Sequence, residues 1–392
     1  MKLFRTLSTP RLVVLVGAVA IALAGATFAV AAARGGGGAT PPPEPLANAI
    51  HDALGATEPA GITARVAFTN KLFPSGALAG QAGSALMSGA TGRLWVNATG
   101  GRLELQSDAG DAQIVWNDKR VTVYDATSNT AYVADLPAKS ATARAQDVPP
   151  TLARITAFLT DLGRHWTISG AVPSNLAGQP AYSVSVSPNH DGGLLGSAQL
   201  AWDAVRGVPL RIAVYAQGDS APVLALEATQ ISFGAVPQSD IAVAPPAGAK
   251  VVDLSSPTGA GGAHGMDGGA PVSGLAAVRA AAPFAVVAPD TLVGLPRRDV
   301  RLVGPADGRS VLAVYGQGLG AVVVVERKHD AGTSPGGGTL DMLPSVSLDG
   351  VTAHELSTQL GTVLTWDRAG VSYILAGSVP PAAAESAARS LR

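Results

Sequence analysis

The chain contains no cysteine, which excludes disulfides, thiolate nucleophiles, cysteine-based zinc sites and a lipid-modified N-terminal cysteine. Charged residues make up only 14% of the chain and the formal net charge is −1. The protein therefore has no net positive charge that would attract nucleic acid, and we expect no nucleic-acid partner. Aromatic residues are also few, at 5%.

Catalytic motifs are missing as well. The six histidines occur singly, and His354-Glu355 is not followed by a second histidine at the spacing of a zinc helix. GxSxG and GxxxxGK do not occur. The glycine-rich segment from Gly316 to Gly320 precedes a strand-like run of valines, so a hairpin turn is favoured over a dinucleotide loop. We therefore predict no enzyme activity, no catalytic residues, no metal site and no cofactor.

The N-terminus has the pattern of an export signal. Positively charged residues precede an uncharged run from Leu12 to Ala33, and Arg34 closes it. The run has about the 20 residues that span a bilayer, which favours a retained anchor, yet small residues also allow cleavage after Ala31 or Ala33. Both alternatives place the remainder outside the cytoplasm. A Gly/Pro-rich stretch, residues 34–45, then predicts a spacer between the membrane and the folded part.

A second low-complexity stretch, Ser255 to Gly274, has almost no large apolar side chain and predicts a domain boundary. The alternative is a long loop inside one domain, although structureless loops of that length are uncommon. The predicted organisation is a signal and linker segment at 1–45, a first domain at 46–254, a linker at 255–274 and a second domain at 275–392.

The segment from Thr91 to Pro137 predicts a series of antiparallel hairpins. Leu103 and Leu105 alternate with polar residues, as do Val121 and Val123, which is the period of a half-buried strand. Short polar turns rich in Gly, Asn and Asp separate these runs. One face of the resulting sheet is apolar.

Two helices are predicted in the first domain, one before the strands and one between the two groups of strands. The segment LANAIHDALG, from Leu46, has apolar residues every four positions, and TLARITAFLTDLG, from Thr151, has an apolar face that ends at Gly163. Strand patterns resume at HWTISG, AYSVSVSP, SAQLAWD, VPLRIAVYAQG and VLALEATQISFG. The predicted fold class is α+β: a large curved antiparallel sheet, or open half-barrel, with lid helices, plus a second small α+β domain.

The second domain combines strand and helix signals. Thr352 and Glu355 have the spacing of a capping box and predict a helical turn there. TVLTW-DRAG-VSYILAG predicts a hairpin. Pro380-Pro381 precede an Ala-rich helix in which Glu385 and Arg389 lie four residues apart.

The strands GGRLELQ and IVWNDKRVTVYD resemble those of the LolA-like outer-membrane lipoprotein carriers and their MucB/RseB-type relatives, regulators of envelope-stress sigma factors. The later segment ATQISFGAVPQSDIAVAPPAGAKVVDL looks like the end of the same domain in actinobacterial proteins. The string W-x-x-x-G-x-x-Y-x-L-x-G from Trp366 to Gly377 is similar to a small C-terminal α+β module of Gram-positive exported proteins.

The resemblance implies an apolar cavity between the half-barrel and its lid helices that holds lipid or lipoprotein acyl chains. Each buried methylene stabilises such a complex by about 0.8 kcal/mol. Arg102 matches the strand arginine of the family that bonds the lid backbone, and Phe158 is the corresponding apolar lid contact. Alternatively, Arg102 is an ordinary surface residue beside Glu104, and the apolar strand residues simply pack against the helix at 151–162. The candidate cavity-wall residues are Leu94, Val96, Leu103, Leu105, Val121, Val123, Val184, Val186, Ile212 and Val214.

Two functional hypotheses follow from this resemblance. In the first, an exported or membrane-tethered protein holds acyl chains in its cavity. In the second, an extracytoplasmic regulator of the MucB/RseB type binds a membrane anti-sigma factor or another envelope partner and responds to lipid. A protein anchored by residues 12–33 suits sensing better than shuttling, because a carrier must leave the membrane.

Overall fold

The computed structural model describes residues 39–72, 85–136, 150–164, 166–189, 193–254, 272–304, 308–317, 321–329 and 343–392. The apolar segment predicted at 12–33 lies outside the described residues. Of the predicted linker, 255–274, residues 255–271 also lie outside them, and residues 272–274 are described. Within the described ranges, no helix is both long enough and apolar enough to cross a bilayer.

The first domain is built on one curved sheet that forms an open half-barrel. Among the described residues the sheet has 13 strands, in the order β13-β6-β5-β4-β3-β2-β1-β12-β11-β10-β9-β7, with β8 beside β9. The strands are β1 (Gly61–Asn70), β2 (Ala90–Asn97), β3 (Gly100–Ser107), β4 (Gly110–Asn117), β5 (Arg120–Asp125), β6 (Thr130–Asp135), β7 (Trp166–Ile168), β8 (Val172–Leu176), β9 (Gln179–Pro188), β10 (Leu195–Asp203), β11 (Pro209–Ala216), β12 (Pro222–Phe233) and β13 (Lys250–Asp253).

The predicted hairpins of the first domain are confirmed. Strands β2 to β6 pair in sequence order, with Leu103 opposite Leu94 on β2 and opposite Ile114 on β4. A second meander, β9 to β12, returns to the first because β12 pairs with β1. All described pairs in this sheet are antiparallel except β13, which runs parallel to β6.

Four helices accompany this sheet in the described residues: α1 (Leu46–Gly55), α2 (Ala85–Ser88), α3 (Leu152–Leu162) and α4 (Gln238–Ile241). The two helices predicted from apolar periodicity, α1 and α3, are confirmed. Thr151 caps α3 by accepting the backbone N–H of Arg154, and Gly163 ends it. Before α1, Pro41 is buried and the Pro42 carbonyl accepts the Tyr182 hydroxyl at 2.6 Å, so the first two prolines of the predicted spacer contact the folded domain.

The second domain has its own antiparallel sheet, in the order β14-β15-β16-β17-β21-β20-β19-β18. Two helices, α5 (Leu275–Ala281) and α6 (Pro381–Ser390), pack on it. Its strands are β14 (Thr291–Leu292), β15 (Leu295–Val303), β16 (Ser310–Tyr315), β17 (Val322–Lys328), β18 (Ser345–Leu348), β19 (Val351–Ser357), β20 (Thr362–Arg368) and β21 (Val371–Gly377). The glycine-rich segment lies between the antiparallel strands β16 and β17, and its residues 318–320 are outside the described ranges.

The predicted helical turn at Thr352 and Glu355 is wrong. These residues belong to β19, in which Glu355 lies opposite Leu364 on β20. The preceding Asp349-Gly350 has positive φ at both residues, 52° and 87°, as a type I′ hairpin turn requires. That turn pairs β18 with β19, and pairing overrides the capping spacing. The predicted hairpin of β20 and β21 and the final helix α6 are confirmed.

The two sheets meet through Ser378, the residue that follows β21. Its carbonyl accepts the backbone N–H of Leu194 at 3.1 Å, and its hydroxyl accepts that of Leu195 at 2.8 Å. The latter bond is buried. The C-terminal sheet is therefore hydrogen-bonded to the start of β10 in the half-barrel.

Candidate functional site

The half-barrel contains an apolar cavity of about 80 Å³ between β1–β4 and β11–β12. The apolar character of its walls follows from strand alternation, because every second residue of these strands points to the same face of the sheet. The walls are almost wholly aliphatic, with one tryptophan. The lining residues are Ile62, Ala64, Val66, Leu94, Val96, Leu103, Ile114, Trp116, Val208, Pro209, Leu210, Arg211, Ile212, Leu226, Ala228 and Ile231.

Trp116 forms one wall of the cavity and depends on a glycine opposite it. The two residues are cross-strand partners, Trp116 on β4 and Gly101 on β3. A Cβ built on Gly101 would lie 2.1 Å from the Trp116 ring, which is far inside van der Waals contact. The absence of a side chain at Gly101 thus lets the indole lie against β3.

The turn between β10 and β11 leads into the cavity wall at Val208. Asp203 is fully buried; its Oδ1 accepts the backbone N–H groups of Val205 and Arg206, and its Oδ2 accepts from the Arg206 guanidinium at 3.1 Å. The same guanidinium lies over the Phe233 ring, 4.2 Å from its centroid. These bonds fix the turn and hold the following Val208 in the cavity wall.

Helix α1 rests directly on this turn. Gly207 has φ +66°, and a Cβ there would lie 2.2 Å from the Ala53 carbonyl oxygen, so only glycine allows the helix to approach so closely. Ala49 of α1 belongs to an apolar cluster with Tyr182 and Trp202. The helix thereby joins the turn at the cavity to the β9–β10 end of the sheet.

The ten predicted wall residues fall into three groups. Leu94, Val96, Leu103 and Ile212 line the cavity. Another three belong to the apolar cluster that also contains Val96 and Leu103, but they do not line the cavity: Leu105, Val121 and Val123. The remaining three lie on β9 and β11: Val184 packs in the cluster beneath α1, and Val186 and Val214 are half-buried on either side of Ala198.

Helix α3 does not fill the apolar face of the sheet. Its main contact is α1, and the His51 ring lies 3.3 Å from the Pro150 carbonyl just before the helix. Only Ile155 of α3 is buried, and among the described residues no α3 side chain belongs to either cluster of the sheet. The apolar strand residues of these two clusters therefore do not pack against α3 as the alternative interpretation expected.

The two predicted lid contacts lie elsewhere. Arg102 alternates with the cavity residue Leu103, so its side chain leaves the opposite face of the sheet. There it lies over Trp95, pairs with Glu104, and donates to the Asp240 backbone carbonyl of α4 at 2.9 Å. Burial lowers the pKa of Arg102 from its ordinary value. Phe158 of α3 is 64% exposed.

The sequence reasoning missed several lining residues, above all those of β1. In GITARVAFTN, Ile62, Ala64 and Val66 alternate with Thr63 and Arg65, so the same period-two signal was present. Trp116 and the residues of β12 were also missed as wall residues. That β1 and β12 are neighbours is a long-range pairing, which the local pattern does not indicate.

The second domain contains a buried carboxyl group. Glu326 on β17 is fully buried; its Oε2 accepts the Val287 backbone N–H at 3.0 Å, and its Oε1 has no hydrogen-bond partner among the described residues. Burial raises the pKa of Glu326 to about 7. The charge of Glu326 in turn helps to raise the pKa values of Tyr315 and Tyr373 to about 12, although burial is the larger cause.

One Ser/His/Asp cluster occurs in the same domain. Nδ1 of His329 lies 3.0 Å from the Asp367 carboxylate and 3.2 Å from the Ser372 hydroxyl. A nucleophile relay requires the hydroxyl and the carboxylate on different ring nitrogens, whereas here both approach the same one. The cluster has the geometry of a structural hydrogen-bond network. Across the described ranges, no group of three metal-ligating side chains is found.

No family model matches the chain, and no curated protein does. Among solved structures, the chain is similar to MucB in complex with MucA(peri), at 15% identity and a TM-score of 0.42, over 88% of this chain and 96% of that one. It is also similar to MucB in the complex of Pseudomonas aeruginosa MucA/MucB, at 17% identity and a TM-score of 0.43, over 88% and 95%.

A third similar structure is an uncharacterized conserved protein from Thermus thermophilus, at 13% identity and a TM-score of 0.32, over 53% of this chain and 96% of that one. Identities this low, with TM-scores below 0.5, do not establish a shared function.

Proposed function

We propose that this protein is an extracytoplasmic regulator of the MucB/RseB type that binds the extracytoplasmic part of a membrane anti-sigma factor. The observation that carries the proposal is that the two segments resembling this family come together. Arg102, from GGRLELQ, donates to the Asp240 backbone carbonyl of the later segment. Strand β13, at the end of that later segment, pairs with β6, the strand that follows IVWNDKRVTVYD. The segments that resemble the family are thus in contact with each other within one folded unit.

The proposed partner is taken from the family resemblance. Two of the similar structures are complexes of MucB with MucA, and that partnership is a property of MucB. For this chain, a membrane anti-sigma factor is the corresponding candidate.

Location at the membrane is also part of the proposal. Residues 12–33 would remain as an anchor in the cytoplasmic membrane, with both folded domains on its outer side. Anchoring keeps the protein beside a membrane-bound partner, which favours regulation over transport.

The test is a binding assay with the full-length protein in lipid nanodiscs. The extracytoplasmic segments of the anti-sigma factors of the native host would be presented as soluble ligands, and binding would be followed by biolayer interferometry. We expect saturable binding to at least one segment, and altered activity of its sigma factor when the gene is deleted. Failure to bind any segment, together with unchanged sigma-factor activity, would refute the proposal.

A second candidate function, binding of an acyl chain, is favoured by the apolar cavity. A volume of about 80 Å³ corresponds to roughly five to eight water molecules at 10–15 Å³ each. A membrane acyl chain reaches across half of a ~30 Å hydrocarbon core and needs more room. The cavity therefore fits a short part of one chain, which suits lipid sensing better than carriage of a lipoprotein.

Filling the cavity tests this second candidate. Ala64 lines it, on β1 between Leu94 and Ile231, so Ala64→Phe should abolish uptake of a fluorescent fatty acid and remove any lipid that copurifies in native mass spectrometry. Ala235→Phe, at an exposed position, is the matched control and should keep both. Equal uptake by the two variants, or a lipid-free wild type that takes up no fatty acid, would contradict lipid binding.

A further inference from the structure

Helix α3 exposes an unusual amount of apolar surface for its length. Phe158 is 64% exposed and Leu152 is 41% exposed, while Ile155 is its one buried residue. Both ends carry exposed arginines: Arg154 lies in the first turn, and Arg164, just after the last, pairs with the exposed Asp161 of the same helix at 3.5 Å. Apolar residues flanked by basic side chains are typical of a helix that lies at a membrane surface.

The N-terminal chain fixes which part of the protein is closest to the proposed anchor. Pro41 is buried, and the Pro42 carbonyl accepts the hydroxyl of Tyr182 on β9. Burial is the main reason that the pKa of Tyr182 is raised to about 12. Tyr182 also belongs to the cluster beneath α1. The chain therefore reaches the folded domain at β9 and α1, and α1 is the main contact of α3.

Only residues 34–40 separate the proposed anchor from this attachment point. Seven residues span at most about 25 Å when fully extended. A glycine-rich chain of that length has a root-mean-square extension of about 15 Å. The attachment point at Pro41 must then lie within about 25 Å of the bilayer, and β9 and α1 are the elements next to it.

The opposite end of the sheet can lie much farther away. Ten strand-to-strand steps separate β9 from β13 in the sheet order, which amounts to about 48 Å along the curved sheet at about 4.8 Å per step. Val251 on β13 is 64% exposed, the same fraction as Phe158. The two apolar side chains thus have equal exposure, but Phe158 lies on the helix that contacts α1, whereas Val251 lies on the edge strand ten steps from β9.

We propose that α3 rests on the outer surface of the cytoplasmic membrane, with Phe158 in the interfacial region of the bilayer and the β13 edge of the half-barrel facing away from it. The proposal depends on the retention of residues 12–33 as an anchor, which is part of the proposed function. Aromatic side chains favour the membrane interface, and the arginines reach the lipid headgroups. The occupant of the exposed face of α3 is then lipid rather than protein.

The absence of cysteine makes this orientation directly measurable. Full-length Phe158→Cys and Val251→Cys would each be labelled with an environment-sensitive fluorophore and reconstituted in vesicles of phosphatidylcholine and phosphatidylglycerol. We expect a blue-shifted emission at position 158 that is quenched several-fold more strongly by headgroup-nitroxide lipids than the emission at position 251. Similar emission and similar quenching at the two positions would overturn the proposal.

A wash of the vesicles at alkaline pH separates failure of the anchor from failure of the docking. If the protein is released from the vesicles, the anchor is absent, and both the membrane location and this orientation are wrong. If the protein is retained but the label at position 158 stays in water, the anchor stands and only the docking of α3 is wrong. Retention with selective quenching at position 158 supports both.

Discussion

Glu326 should make the stability of the second domain depend on pH, and Glu326→Gln should remove most of that dependence. The carboxyl group is fully buried in the middle of the C-terminal sheet, where it accepts one hydrogen bond, from the Val287 backbone. Arg279 on α5 is an oppositely charged group that acts on it, and Tyr315 on β16 and Tyr373 on β21 are titratable groups that its charge affects.

The magnitude follows from the pKa of Glu326, which burial raises from 4.5 to about 7. That rise corresponds to about 3 kcal/mol. Because the folded state binds the proton more tightly than the unfolded state, the full stability is present below pH 4.5. It falls as the pH rises from 4.5 to 7, and above pH 7 the loss levels off. The carboxamide that Glu326→Gln introduces carries no charge and should give a flat profile for this contribution.

Hydrogen-exchange mass spectrometry can measure this effect within the second domain alone. Opening free energies of peptides from β17 and β21 would be compared at pH 5 and pH 8 after correction for intrinsic exchange rates. We expect the wild type to lose roughly 2–3 kcal/mol over that interval relative to Glu326→Gln. A difference between the two proteins of less than about 1 kcal/mol would refute the assignment of a raised pKa to this group.

Three further substitutions test the contacts around the cavity and the tether. Gly101→Ala should displace the Trp116 ring and destabilise the first domain by about 1–3 kcal/mol, measured by urea unfolding. Gly55→Ala is the control and should leave the stability unchanged, because no atom lies within 4 Å of the new Cβ. Asp203→Ala should cost about 3 kcal/mol or more, because it removes a buried ion pair; an unchanged unfolding midpoint would contradict this. Tyr182→Phe should cost about 1 kcal/mol and speed hydrogen exchange just after the Pro42 contact, and unaltered exchange there would count against the docked tether.

Much of the local structure could be predicted from the sequence. Alternation in β3 and β5 indicated strands, and the apolar periodicity of α1 and α3 indicated helices, because both signals depend only on neighbouring residues. The wrong prediction of a helical turn at Thr352 has the same origin, because it too was based only on neighbouring residues. A capping-box spacing and a type I′ turn at Asp349-Gly350 compete locally, and the pairing of β19 with β20 decides between them.

The candidate site was predictable only in part, because a cavity depends on which strands become neighbours. Alternation identified Leu94, Val96 and Leu103 as residues of the apolar face, and these do line the cavity. Val184 shows the same alternation but packs beneath α1 instead. No local feature distinguishes Val184 from Leu103, since the difference arises from the partners that β9 and β3 meet.

Local patterns in the sequence indicated the strands and helices, and its composition showed the lack of cysteine chemistry and of catalytic motifs. These properties reside in short segments or in composition, where neighbouring residues carry the information. The tertiary structure alone decided that α3 packs on α1 and leaves Phe158 exposed, that Arg102 bonds α4 on the face away from the cavity, and that the chain at Pro42 docks at β9. Each of these depends on contacts between residues far apart in the chain, whose energies no local pattern records.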